Sequence, residues 1–430
     1  MVIGALLSVF GLLRSVFMGI RMRCETWDVR RARAVVLIAA AVGLLTRMLI
    51  AANMSGPADV RIFQGFAEAI VRYGPIRIYE QPLPGLPVYN HPPLAGWMLL
   101  GLHELSELGI PFGTLIRSPA SIADFFCALL VFEIVRRRSS TGTAVACGVG
   151  VAVSPVLIAT SGYHGNTDAV AITFALAAAH LLADRKAPLA AGVCALLSIS
   201  VKFVPVVVIP ALFVVALRSG RPALIRFTAG FTVLVALVWG PALVTVPQSL
   251  KENVLEYAGG SYRLWGLVRF ADALSLPQSF ITFIHGEGHL LFVLACVAVG
   301  VWLAWLRPAQ LPGVVAVTMG LLLLLSTASA LQYLTWAAAG LFVIGFWEGA
   351  AYSCLLGLTA VLGYQGRSAV HWSETVLHLG EAGWFVLAAG LVSGVRKILA
   401  AQPAGPPQSP AEQTSVPAPC TPRPTGSPVN

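Results

Sequence analysis

The stretch AVVLIAAAVGLLTRMLIAA, residues 34–52, follows Arg30, Arg31 and Arg33 and ends at Asn53. Arg47 is its single charge. An apolar run of this length crosses a bilayer as a helix, and the arginines before it mark the cytoplasmic end. It has no period-2 alternation of the kind a barrel strand carries. In hydrocarbon every backbone N–H and C=O needs an internal partner, so helix is the reading that remains.

The rest of the chain repeats the pattern. Hydrophobic residues make up 57% of the 430 and charged residues 11%, and the mean hydropathy is +0.80. A soluble domain carries roughly 25% charged residues, so most of this surface meets lipid. The net charge of +9 does not point to nucleic acid. The basic residues sit in short clusters between apolar runs: Arg21 to Arg33, Arg136 to Arg138, Arg185-Lys186, Arg218 to Arg226, Arg307 and Arg396-Lys397. That is the signature of cytoplasmic loops. Cys127, Cys147, Cys194, Cys296 and Cys354 lie in apolar runs, while Cys24 and Cys420 fall on the cytoplasmic side. No structural disulfide and no zinc-type spacing is expected.

Threading gives an all-α, polytopic transmembrane helical bundle with about twelve spans and both termini cytoplasmic. The spans expected are 34–52, 121–135, 143–160, 169–183, 188–200, 204–217, 227–246, 290–305, 314–326, 334–346, 350–363 and 382–395. Residues 1–33 form a peripheral or interfacial segment, whose apolar part at 2–20 is open to three readings: a span, an interfacial helix or a signal-like start. Residues 34–400 form the membrane domain, with long outer loops at about 53–117 and 247–287. The first of these loops holds helices along the membrane surface, one of them near 92–105. Residues 401–430, rich in Pro, Ser and Thr, read as a disordered cytoplasmic tail. On this threading about 17 of the 28 Lys and Arg residues fall inside and about 8 outside, which makes it self-consistent.

The polar residues that remain gather on the outer side. They are Asp59 and His91 in the first outer loop, His164 to Asp168 at a later outer turn, Lys202 at another, and Gln332 with Tyr333 at a third. The second outer loop adds Glu256, Tyr257, Arg263 and Trp265. Charges at a membrane boundary are costly and read as functional. Each also has a plainer reading. Asp59 is a preferred cap for a helix starting near Phe63, and Asp168 for the span after it. Lys202 and Arg47 can snorkel to the boundary. His285 and His289 are four apart, but Gly286-Glu287-Gly288 between them is no HExxH, and a wet loop edge suits them better than a metal.

The order of these features resembles the GT-C superfamily of membrane glycosyltransferases, in its polyprenyl- or dolichyl-phosphate-hexose-dependent branches. The resemblance rests on the span ending in Arg47, then Asp59-Val60-Arg61-Ile62-Phe63, Gly74, Tyr79, and Tyr89-Asn90-His91-Pro92-Pro93-Leu94. Arg117 to Asp124, leading into a span that ends in three arginines, continues it. It covers roughly the first 210 residues in element order. The family's first outer loop holds paired or single acids; here Ala58 precedes Asp59 and Arg61 follows it, which does not support a divalent metal.

The resemblance implies transfer of mannose or glucose from a polyprenyl-phosphate sugar to a lipid-linked glycan, glycolipid or protein acceptor on the extracytoplasmic face, without a cofactor. Asp59 would be the base. Lys202, Arg263 and Arg47 are candidates to hold the donor phosphate. His164, Asp168, His91, Tyr79, Tyr89, Tyr257, Trp265, Gln332 and Tyr333 are candidates for the substrate surface. A transporter or flippase of a lipid-linked sugar is the alternative, for which the Val201-Lys202-Phe203 break with Pro205 is the best feature. A non-catalytic scaffold leaves the one-sided polar set unexplained.

Overall fold

The structure, a computed structural model, describes residues 27–257, 266–286 and 288–402, with Gly19 standing alone before them. The apolar stretch at 2–20 (Gly19 apart) and the tail from 403 lie outside the described residues, as do Arg263 and Trp265. The described chain is helical, with no strand among its elements. The membrane domain is carried by α1 (Val29–Asn53), α2 (Ala58–Tyr73), α3 (Pro93–Ser106), α4 (Ser118–Arg136), α5 (Thr141–Ala152), α6 (Asp168–Ala183) and α7 (Pro188–Val201). It continues with α8 (Ile209–Arg218), α9 (Arg221–Leu234), α10 (Gly288–Leu306), α11 (Leu311–Leu325), α12 (Thr335–Ile344), α13 (Phe346–Tyr364) and α14 (Glu374–Ala400).

The twelve apolar runs expected from sequence are helical over most of their length, with breaks at Val153-Ser154 in the run 143–160 and at Gly345 in the run 334–346. Among the described residues eight helices are long and apolar enough to cross a membrane: Val29–Asn53, Phe112–Arg136, Thr141–His164, Arg221–Thr245, Gly288–Leu306, Pro308–Leu325, Phe346–Tyr364 and Glu374–Ala400. The other four, Asp168–Ala183, Pro188–Val201, Val204–Arg218 and Leu331–Ile344, are shorter apolar helices. This is an integral, multi-pass membrane protein. Large side chains such as Ile38, Val42 and Leu45 on α1 and Leu290, Leu291 and Leu294 on α10 stay exposed, as a lipid-facing surface requires.

Lipid is as apolar as leucine, so helix association here rests on close packing and on interhelical polar contacts. Gly192 of α7 and Gly230 of α9 show the first: a Cβ on Gly192 would collide with the Phe227 carbonyl, and one on Gly230 with the Leu189 carbonyl. Arg47 shows the second. Its Nε lies 3.1 Å from Asp124 Oδ2 on α4, and its Nη1 donates to the Ala152 carbonyl at 2.9 Å. Serines begin two of the helices by capping, Ser140 accepting from the Thr143 amide and Ser373 from the Val376 amide.

The basic clusters meet at one end of the bundle. Arg33 donates to Glu133 at 2.5 Å and Arg136 to its other oxygen at 2.7 Å. Arg138 grips Asp184 through both terminal nitrogens, at 3.0 and 2.7 Å, and reaches the Ala309 carbonyl. Arg307 donates to the Leu399 carbonyl, Arg218 to the Trp305 carbonyl, and Lys397 to Glu348. The loop helices α2 and α3 and the residues discussed next lie at the opposite end.

Candidate active site

Four breaks in helical geometry build the site. The first is the turn between α1 and α2. Here Arg117, buried just ahead of α4, donates to the carbonyls of Ala51 (3.1 Å), Met54 (2.7 Å) and Ser55 (2.6 Å). Gly56 sits in this turn at φ +74° against the guanidinium, so the chain can pass only without a Cβ. Helix α2 then opens with Asp59 in its first turn. No side chain caps that helix; its cap position is Pro57. Asp59 is therefore free for another partner.

The second break supplies that partner. After α5 the chain ends its span in a wide turn over Ile158–His164, closed by the Gly165 amide donating to the Thr160 carbonyl at 3.0 Å. Bulges of this five-residue kind are frequent at functional sites. Gly165, at φ +78°, presses on the Arg117 side chain. His164 is thereby delivered to Asp59, with Nε2 to Oδ2 at 2.9 Å. Its other ring nitrogen, Nδ1, lies 2.8 Å from the Tyr364 hydroxyl at the end of α13. The Asp59 side chain keeps 38% exposure while His164 keeps 5%, so the carboxylate is the member that faces outward.

The third break is at Lys202, extended at φ −146°, ψ 130° between α7 and the tight turn Val204–Val208. Its side chain is 23% exposed, and its ammonium lies 3.8 Å from Asp168 Oδ2. Asp168 does not cap α6 either, since that cap position is Thr167 and no side-chain cap forms. Its Oδ1 instead accepts from the Trp336 indole N–H at 2.7 Å. The fourth break is the turn Leu331–Leu334 ahead of α12. There the Asn166 amide donates to the Gln332 carbonyl at 3.1 Å, and Tyr333 stacks on Trp336 with ring centroids 4.6 Å apart.

His91, ahead of α3, is buried against Phe63 at 5.1 Å and Tyr89 at 5.6 Å. Burial, with the Lys202 charge adding to it and Asp59 opposing, pushes its ring down to about 3, so it is neutral throughout the physiological range. Burial also pushes the Asp59 carboxyl up. The hydrogen bond from His164, with the Lys202 charge behind it, outweighs that and leaves it below the usual carboxylate range. Asp59 is thus ionised, bonded to His164 and within electrostatic reach of Lys202.

The structure brings Asp59, His164, Asp168, Lys202, His91, Gln332 and Tyr333 to one end of the bundle. Arg47 lies beneath them, against Gly162 of the wide turn: buried and committed to Asp124 and the Ala152 carbonyl, that guanidinium ties three helices together. Tyr79 and Tyr89 are buried too, the Tyr79 hydroxyl donating to the His91 carbonyl at 2.7 Å and the two rings 5.3 Å apart. They shape the wall behind His91. Tyr257 is exposed in the second outer loop. Among the described residues no group of three or more His, Cys, Asp and Glu could hold a metal ion. Sequence reasoning missed Tyr364, Trp336 and the role of Arg117. The first two are aromatic residues in apolar helices, which read as core.

Residues 90–244 match the family model described as dolichyl-phosphate-mannose-protein mannosyltransferase. That match, over about a third of the chain, supports a membrane glycosyltransferase of the GT-C type. No curated protein matches it. The matched segment carries His91, His164, Asp168 and Lys202, while Asp59, Gln332, Tyr333 and Tyr364 join them from outside it. The polar end of the bundle is therefore assembled from within and from outside the matched region.

Proposed function

We propose that this glycosyltransferase moves a hexose, mannose or glucose, from a polyprenyl-phosphate donor to a lipid-linked glycan, glycolipid or protein acceptor on the extracytoplasmic face, with inversion at the anomeric carbon. The observation that carries the reading is a half-exposed, ionised carboxylate, Asp59, fixed from behind by His164 and set within electrostatic reach of Lys202. The arginine-rich end opposite it then lies in the cytoplasm with both termini.

In the reaction the acceptor O–H bond breaks as its oxygen bonds to C1, and the proton passes to Asp59. The bond from C1 to the phosphate oxygen breaks on the opposite face, and polyprenyl phosphate leaves. This leaving group departs as a stable anion, so cationic stabilisation serves it better than a strong acid. Lys202 supplies the charge, and Asp168, its position held by Trp336, orients the ammonium. His91, being neutral, offers the sugar hydroxyls a hydrogen-bonding ring and not a second charge. The lipid tail runs between spans, which accounts for a site at the membrane boundary.

The break at Lys202 also favours a second reading, a flippase of a lipid-linked sugar, since broken helices mark transporter sites. One experiment separates them: proteoliposomes with radiolabelled polyprenyl-phosphate-mannose or -glucose, comparing wild type with Asp59→Ala. Label reaching an acceptor only when Asp59 is intact supports the transferase and names its sugar. Label that never leaves the donor lipid, yet changes leaflet, supports the flippase.

A further inference from the structure

The contact that no sequence feature announces is the one between His164 and Tyr364, two hundred residues apart. Asp59 is ionised and can only accept, so the His164 Nε2 that lies 2.9 Å from it must carry a proton. Tyr364 is buried, at 3% exposure. Among the described residues its one hydrogen-bond partner is His164 Nδ1, at 2.8 Å. Were the ring doubly protonated, Nδ1–H and the phenol O–H would both be donors, and the phenol proton would be left in the core without an acceptor. A buried unsatisfied donor of that kind is costly. A neutral ring satisfies both contacts: Tyr364 donates to Nδ1, and Nε2–H donates to Asp59.

We propose that Tyr364 is a positioning residue that locks His164 in its Nε2–H tautomer, so that His164 holds one oxygen of Asp59 and leaves the other for the acceptor hydroxyl. This rests on Asp59 being the base. The arrangement reverses the order of a serine-protease triad: here the carboxylate faces the substrate, and the imidazole stands behind it with a phenol as its own orienter. The groups facing Asp59 are His164, Lys202 and His91, and those facing His164 are Asp59 and Tyr364. Freed from the phenol, the ring can turn its lone pair toward the carboxylate. Asp59 then loses its hydrogen bond for part of the time and becomes both less fixed and more basic.

The test has two readouts. In the full chain labelled with 15N-histidine and held in nanodiscs, the His164 signals, identified by their loss in His164→Gln, are expected to show a neutral ring protonated at Nε2. In Tyr364→Phe they are expected to become a mixture of tautomers. A wild-type ring protonated at Nδ1 or at both nitrogens, or a tautomer unchanged by Tyr364→Phe, overturns the proposal, and neither result depends on knowing the donor. In the transfer assay Tyr364→Phe is expected to lower kcat about tenfold with the donor KM unchanged, and to move the acid limb of the rate to higher pH. His164→Gln, whose amide nitrogen stands in for Nε2–H, is expected to keep most of the rate that His164→Ala loses. Adding Tyr364→Phe to His164→Gln should cost nothing more, because an amide has no tautomer to lock. An equal loss in both backgrounds would reduce Tyr364 to packing. Full activity in Asp59→Asn would sink the base assignment itself; an inactive Asp59→Asn beside a wild-type Tyr364→Phe would sink only the tautomer lock.

Discussion

Arg117 is where a single substitution should separate folding from catalysis. Its guanidinium donates to three carbonyls in the turn that leads to Asp59, at 3.1, 2.7 and 2.6 Å, and Gly165 beside His164 rests on its side chain. Methionine fills much of the same volume and offers no donor. A hydrogen bond to a charged group contributes about 1.5–3 kcal/mol, and three bonds from one group to one turn are not independent. We therefore expect Arg117→Met to cost about 3–5 kcal/mol, lost mainly from the turn and not from the bundle. The two loops that Arg117 holds carry the two partners of the Asp59–His164 contact, so their spacing should loosen together. A displacement of about 1 Å at a reacting group costs about a hundredfold in rate. Lys202, Asp168 and His91 stand on other elements, so donor KM should change little. Arg117→Lys, with a point charge that reaches one or two carbonyls, should fall between. The assay is transfer kinetics in proteoliposomes beside thermal unfolding in detergent. An Arg117→Met protein that keeps kcat within threefold of wild type refutes the reasoning, as does one that loses donor KM and kcat in parallel.

Other expectations follow from the same geometry. Lys202→Met should lower kcat/KM for the donor about a hundredfold, with Lys202→Arg recovering part of it; an unchanged value would remove Lys202 from the donor site. Asp59 has a depressed carboxyl, so its stabilising contacts are fully present above the ordinary aspartate range of about 3.9 and are lost as pH falls through its lower folded value. Wild type should accordingly resist acid unfolding better than Asp59→Asn only above that lower value, the two curves merging below it. Arg47→Met alone should cost about 3–5 kcal/mol by stranding Asp124, whereas Arg47→Met with Asp124→Leu should regain most of that in a thermal melt. Gly192→Leu should separate α7 from α9 and lower the yield of folded protein in detergent more than Gly101→Leu, which meets open space.

Much of the architecture was legible because a membrane simplifies the code. Each span is a continuous apolar run, and each run between the basic clusters became a helix. Asp59, His91, His164, Asp168 and Lys202 were legible for the complementary reason, as costly polar groups at the ends of those runs. Their pairings were not. Asp59 and Asp168 both look like helix caps in one dimension, yet each turns away from that role, one to His164 and the other to Trp336. Arg47 is the mirror case. An arginine near the end of a span suggests a ligand, but whether it reaches the boundary depends on Asp124, which lies on another helix and itself reads as part of an apolar run. Tyr364 and Trp336 were invisible because an aromatic residue in an apolar helix is normally core, and only the fold reveals the polar atom at its tip.

The departures from helical geometry explain why the site lies where it does. Inside a bilayer, backbone can leave the helix only where protein or a polar cavity satisfies the freed groups. Here the wide turn at Ile158–His164, the extended Lys202 with its Val204–Val208 turn, and the Leu331–Leu334 turn all fall at the end of the bundle away from the arginines. All three are packed into the core, through Tyr163, Val208 and Leu334 among others. Each delivers a polar side chain or carbonyl that regular helix would have directed elsewhere: His164 to Asp59, Lys202 to Asp168, the Gln332 carbonyl to Asn166. Arg117 and Tyr364 then hold the delivered groups from the buried side, one through backbone carbonyls and the other through a ring nitrogen. The backbone irregularity and the polar cluster are thus one feature, and a substitution that restored regular helix at Lys202 should remove activity while leaving the bundle folded.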